Sequence, residues 1–364
     1  MGSSKVISGR EIFLMMVLLQ QGGLFWMLPV LLFAENGTAG LLAFLPGLSF
    51  GLVILAVCLY WHRHCAGMTF PQWLKILLGR YAGTVAGIIF LVLYLMFGVL
   101  CLGSFTEVIH TRLLPETPRI LLLLPVFFLA GWLSWNGLED IARMTVFAVI
   151  PGFLLLALMT AGSIGSFRLE NLLPVQIWSM DAMGQSAISS IFACSSFLVL
   201  FMVFPAWSSR NQSGRTMLFA VVLSSALFLL WNVLALGVFG QFSMSQLIWL
   251  PLELARMIQV SAFLERTEAL FTAVWMPLVL VNGGLWLWSV SESAHQISGM
   301  QKNNLLHWLT VVVSAVICAA AGNLLQLYRL EQMIASVSVY LIPVLLLLVT
   351  AGTVLYSRRK EEQH

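Results

Sequence analysis

Apolar residues run along this chain in long blocks that lack the alternation of a strand. A helix needs roughly 20 apolar residues to cross the hydrocarbon layer. By that ruler ten stretches qualify: 12 to 33, 38 to 60, 83 to 106, 119 to 137, 145 to 166, 186 to 206, 216 to 239, 267 to 290, 306 to 324 and 334 to 356. Backbone groups in lipid must be satisfied within their own segment, so the pattern predicts ten transmembrane helices in an all-α membrane protein.

Two of these blocks are interrupted. Gln20-Gln21-Gly22-Gly23 breaks the first, with Pro29 following, and Ala193-Cys194-Ser195-Ser196 breaks the sixth, with Pro205 beyond it. The two broken spans head the halves 12–166 and 186–356 of a single polytopic domain covering residues 1–364. Five spans in each half give an inverted repeat, because an odd number of crossings reverses the second copy. The expected fold is therefore a five-plus-five inverted repeat (LeuT-like) with helices 1 and 6 broken. That arrangement keeps its ligand at the breaks.

Composition agrees with the pattern. Of the 364 residues 60% are hydrophobic and only 9% charged, which excludes a water-soluble globular chain. Assigning the 18 Lys and Arg residues to loops puts 12 on the amino-terminal side and 6 on the other, a bias that places both termini in the cytoplasm. The first block is too long for a cleavable signal and lacks a small-residue cleavage site, so it reads as a true span.

Three connections carry structure of their own. Phe70 to Leu78 reads as a short amphipathic segment at the cytoplasmic interface, with Trp73 as anchor and Lys75 and Arg80 facing water. Arg168 to Gln185 reads as an external interfacial helix, and Gln241 to Glu265 as a second large external loop.

The breaks carry the candidate chemistry. An unwound turn in mid-membrane offers amide donors at one half-helix and carbonyl acceptors at the other. The amides of Gly23 to Trp26 suit a carboxylate. The carbonyls of Leu19 to Gln21, with those near Phe192, suit an ammonium group. The alternative for Gly22-Gly23 is a close-packing face between helices. In span 3, Tyr94, Phe97, Gly98 and Cys101 share a face, which either lines the pocket or simply packs. In span 8, Asn282 precedes Gly283-Gly284 at a polar, flexible point; a buried amide needs partners, so it binds ligand or ties span 8 to span 1. The candidate ligand-binding set is Gln21, Gly22, Gly23, Tyr94, Gly98, Phe192, Ala193, Cys194, Ser195 and Asn282.

Other chemistry is thin. Glu139 and Arg143 are spaced to pair along a helix. The five cysteines show no paired spacing, so neither a disulfide framework nor a zinc site is expected. His62-Arg63-His64-Cys65 is read as a loop end beside anionic lipid rather than a metal cluster. No enzyme motif, cofactor motif or basic nucleic-acid-binding domain is recognisable. The spans show no obvious acid of the kind an energised transporter uses, which favours sensing over active transport.

Several runs resemble a known family. They are Leu114-Pro115-Glu116-Thr117-Pro118, Gly137-Leu138-Glu139 with Ala142-Arg143, Asn171-Leu172-Leu173-Pro174-Val175, Arg256-Met257-Ile258 and Phe263-Leu264-Glu265-Arg266, then Glu268-Ala269-Leu270-Phe271 and Trp275. In order and spacing this is similar to the B subunit of nutrient germinant receptors, the membrane proteins of spore germination. The resemblance implies a member of the amino acid, polyamine and organocation transporter superfamily, acting as a germinant sensor in the spore inner membrane. It implies A-type membrane and C-type lipoprotein partner subunits and a small germinant such as an amino acid. Where many members have Gly-Glu at the span 6 break, this chain has Cys194-Ser195, so proton- or cation-linked chemistry at that position is in doubt. Secondary transport of an amino acid or organic cation, and a passive conduit, stay open as competing functions.

Overall fold

The computed structural model describes residues 7–21, 28–33, 36–64, 68–173, 179–207, 214–244, 246–257, 267–300 and 303–361. Among them the chain is all helical, apart from one parallel bridge between Ile7 and Trp207. That bridge joins the approach to the first helix to the exit of the sixth span. Its hydrogen bond runs from Ile7 N to Ala206 O at 3.0 Å.

The first span comprises α1 (Gly9–Leu19) and α2 (Leu28–Phe33). A capping box fixes the start of α1: Ser8 accepts from Glu11 N, and the Glu11 carboxylate accepts from Ser8 N at 2.8 Å. Gly22 and Gly23, two of the candidate ligand residues, lie outside the described residues. Next come the short α3 (Gly40–Ala43), then α4 (Leu45–His64), α5 (Phe70–Val108), α6 (Arg119–Asn136) and α7 (Leu138–Ser163). The second half holds α8 (Met180–Cys194), α9 (Leu200–Val203), α10 (Gly214–Met244), α11 (Leu250–Met257), α12 (Thr267–Ser298), α13 (Asn304–Ala320) and α14 (Leu324–Glu361). Among the described residues eight helical stretches are long and apolar enough to cross a membrane, and α13 is apolar but shorter. The protein is an integral membrane protein.

The segment expected at the interface before span 3 is the first part of α5. Gly79, at φ +81°, turns it from the spanning part, a conformation that costs a glycine little. Two details differ from the sequence reading. Trp73 is fully buried against Trp61 and Phe70 rather than anchored at an interface. Lys75 is half-buried rather than free in water: its Nζ donates to Gln296 O (2.9 Å) and Ile297 O (3.0 Å) and so caps the end of α12. A cation at a helix C-terminus satisfies carbonyls that have no partner within the helix. This explains why α12 persists to Ser298, past the expected end of its span. In the loop before α8 the described helical piece is only a 3-10 turn, Leu169–Leu172, held to α10 by Asn171 Nδ2 donating to Gly237 O at 2.8 Å.

Candidate ligand site at the seam of the first and sixth spans

Three ties stitch span 1 to span 6, and polar side chains make two of them. At one end is the Ile7 to Trp207 bridge. In the middle, where α1 has stopped at Leu19, Gln20 is buried and its Nε2 approaches Cys194 Sγ at 3.7 Å. At the other end Asn36 is fully buried, donating to Ser186 Oγ (2.7 Å) and Ala182 O (3.3 Å), while Ser186 Oγ donates to Leu31 O (2.7 Å). The break in span 6 is a change of helix type: α8 ends at Cys194, and Ser195–Val199 continues as a 3-10 turn before α9. At that junction Ile191 O accepts from the backbone N–H of Ser195 and also from Ser195 Oγ, the latter at 2.7 Å.

The other side of the α1 break is tied to spans 7 and 8. Ser225 Oγ donates to Gln20 Oε1 (3.0 Å), Ser224 Oγ to Val17 O (2.8 Å), and Gln21 Nε2 to Ser224 O (3.0 Å). From α12, Trp275 Nε1 donates to Gln21 O (3.3 Å) and Asn282 Nδ2 to Leu18 O (3.0 Å). Asn282 thus joins span 8 to span 1 at the carbonyl end of α1. Gly283 and Gly284 are not a flexible point, since α12 runs through them unbroken. A Cβ on Gly283 would lie 2.2 Å from Leu102 Cδ2, so the glycine lets α5 and α12 close up.

Span 3 packs against this seam. Tyr94 is fully buried and its hydroxyl donates to Leu198 O at 3.2 Å. Phe97 stacks between Phe192 (5.1 Å) and Trp286 (4.8 Å), and a Cβ on Gly98 would meet Trp286 Cβ at 3.2 Å. The structure therefore brings Gln21, Tyr94, Gly98, Phe192, Ala193, Cys194, Ser195 and Asn282 into one buried region. On the span 3 and span 6 side that region is filled by side chains.

Space lies instead on the opposite face of α1. A cavity of about 90 Å³ is bounded by α1, α2, α7, α10, α11 and α12, and of the eight described candidate residues it borders only Gln21. Gln20, named in the span 1 break, also borders it, whereas sequence reasoning missed Asn232. A signal existed: Ser225 and Asn232 are polar positions two helical turns apart in an otherwise apolar span, which puts them on one face. An acid was missed as well. Glu107, at the end of the long run of span 3, is buried and paired with Arg119, whose guanidinium also donates to Cys318 O at 3.2 Å. Nothing in the spacing of Glu107 and Arg119 announces that pair, since it depends on how α5, α6 and α13 meet. The expected Glu139 to Arg143 pair is formed along α7.

A family model described as "Spore germination protein" matches residues 6–323. The chain belongs to that family. Among curated relatives it is 24% identical to the spore germination protein GerQB of Bacillus cereus over 230 residues, which is 63% of each chain. It is 22% identical to the putative spore germination protein YfkT of Bacillus subtilis (strain 168), over 76% of this chain and 78% of that one. The match therefore spans just under two thirds of the length of GerQB. Among solved structures it is similar to MhsT in complex with L-phenylalanine, with a TM-score of 0.68 at 15% identity, covering 97% of this chain and 93% of that one. It is also similar to the nucleobase-cation-symport-1 family transporter Mhp1, with a TM-score of 0.65 at 14% identity, covering 99% and 82%. At these identities the likeness establishes the fold, which is the LeuT-type transporter fold, and nothing about ligands. This germination protein is thus a membrane protein built on a transporter scaffold.

Proposed function

We propose that this protein is the integral-membrane subunit of a spore nutrient germinant receptor, binding a small germinant, an amino acid, at the broken spans and signalling to partner subunits. The seam carries the reading: two helices stop at Leu19 and Cys194 inside the buried core and face each other through Gln20 and Cys194. Helix ends at such a point are where amides and carbonyls can hold a zwitterion. In this reading the chain has ten spans in a five-plus-five inverted repeat. Both termini are cytoplasmic, the membrane is the spore inner membrane, and the partners are A-type and C-type lipoprotein subunits. The ligand acts by binding one of two conformations more tightly than the other. The protein needs no cofactor and catalyses no reaction.

The test is germination of spores carrying Gly23→Leu or Ser195→Leu. The expected result is loss of nutrient response with the protein still present in the membrane; normal germination would place the ligand elsewhere. The second reading, secondary transport of an amino acid or organic cation, draws on the shared transporter fold. Accumulation of radiolabelled alanine in proteoliposomes down an imposed ion gradient would favour it over sensing.

A further inference from the structure

The cavity on the far face of α1 has a chemistry of its own. Most of its wall is apolar and aromatic, with Phe228, Trp231, Phe271 and Trp275 among the lining residues and Leu250, Pro251 and Leu254 of α11 covering one side. Its size, about 90 Å³, is several times the roughly 10–15 Å³ of such space that one water needs. Among its described lining residues there is no Asp, Glu, Lys, Arg or His.

The polar groups on the wall are unequally satisfied. Nε2 of Gln20 reaches Cys194 Sγ, Nε2 of Gln21 donates to Ser224 O, and the indole N–H of Trp275 donates to Gln21 O. Asn232 spends its Nδ2 on Phe228 O at 2.8 Å. Its Oδ1 is buried with no hydrogen-bond partner among the described residues. A buried, unpaired amide oxygen costs free energy until something donates to it. What is missing at this wall is a donor.

We propose that this cavity is a binding site for a small uncharged molecule with an apolar body of a few carbons and one hydrogen-bond donor, a short-chain alcohol in its simplest form, donating to Asn232 Oδ1. Among the described lining residues the one unmet polar atom is an acceptor and no side chain is charged, which suits a neutral donor better than an ammonium whose charge would be removed from water. The site is therefore distinct from the germinant site at the seam and does not depend on it, although both touch the span 1 break. Gln20 and Gln21 border the cavity and hydrogen-bond to Cys194 and Ser224.

The test is binding of 4,4,4-trifluoro-1-butanol to the purified full-length protein in nanodiscs, followed by fluorine NMR, with empty nanodiscs to remove lipid partitioning. Wild type is expected to show saturable binding. Asn232→Leu should weaken it about tenfold, and Leu227→Trp, which fills the cavity from its wall, should remove it. The corresponding charged amine, 4,4,4-trifluorobutylammonium, should not compete. Absence of saturable binding to wild type would overturn the proposal. So would unchanged affinity in both variants, or equal affinity for the ammonium compound. A thermal unfolding curve for each variant separates a filled site from a misfolded chain. Failure here leaves the germinant reading standing, since that reading is judged by the response of Gly23→Leu and Ser195→Leu spores.

Discussion

The two faces of the broken first span are built on opposite principles. Toward spans 3 and 6, aromatic rings pack on one another: Phe97 lies between Phe192 and Trp286, and Tyr94 is pinned to Leu198 O. Toward spans 5, 7 and 8, the wall is also aromatic but leaves a cavity and an amide oxygen on Asn232 that has no partner among the described residues. Both faces have the same residue types, and glycine or serine occurs on each. A small residue beside a ring can thus mean close approach or open space, and only the opposing helix decides which. Gly98 and Gly283 mark close approach, because the side chains they face fill the volume a Cβ would take.

The contrast can be broken experimentally, starting with its densest point. Phe97→Ala removes a fully buried ring from the filled face and is expected to cost about 3–5 kcal/mol, read as a large fall in the thermal midpoint of the purified protein. A loss below about 1 kcal/mol would mean that this face is not close-packed. Gly283→Ala should cost about 1–3 kcal/mol by the same measurement, because the new methyl meets Leu102 and α5 must give way. If it is neutral, α5 and α12 are looser than their contact implies.

Asn282→Leu tests the polar stitching rather than the packing. Interhelical hydrogen bonds in membranes average about 0.6 kcal/mol, so a small drop is expected, with faster amide exchange in Leu18 to Gln21 as the specific sign that α1 has lost its tie to α12. Unchanged exchange there would show that Trp275 holds the end of α1 without help. The smallest effect belongs to Glu253→Gln. Arg112 and Glu253 are 2.8 Å apart and partly exposed, so the pair contributes about 1 kcal/mol or less. It nevertheless joins α11, the cover of the cavity, to the π-helical turn Ile109–Leu113 at the end of span 3. The expected result is an unchanged thermal midpoint with faster exchange confined to α11. Uniformly faster exchange would mean that α11 is not a separate cover.

Much of the candidate seam was legible before any coordinates. The runs Gln20-Gln21-Gly22-Gly23 and Ala193-Cys194-Ser195-Ser196 stand out because polar and small residues are expensive or purposeful inside an apolar block, and α1 and α8 stop at those runs. Neither Trp73 nor Lys75 was read correctly. An amphipathic segment beside a membrane looks the same whether its tryptophan meets lipid headgroups or a groove of the protein, and whether its lysine meets water or a helix end. Asn36 and Ser186 were passed over because each is one polar residue near a span end, a place where polar residues are ordinary. Their bond exists only once span 1 lies against span 6.

The sequence by itself determined the class of the molecule, its all-helical apolar blocks, and the positions where two of them break. Those follow from the length an apolar helix needs and from the cost of polar groups in lipid, both of which are written locally. Tertiary structure alone decided which face of the first span is filled and which is open. It also decided that Glu107 is neutralised by Arg119, and that Asn232 is left with an unanswered oxygen. Those outcomes depend on which side chains arrive from helices far away in the chain, and volume and hydrogen-bond partners are properties of the assembled neighbours.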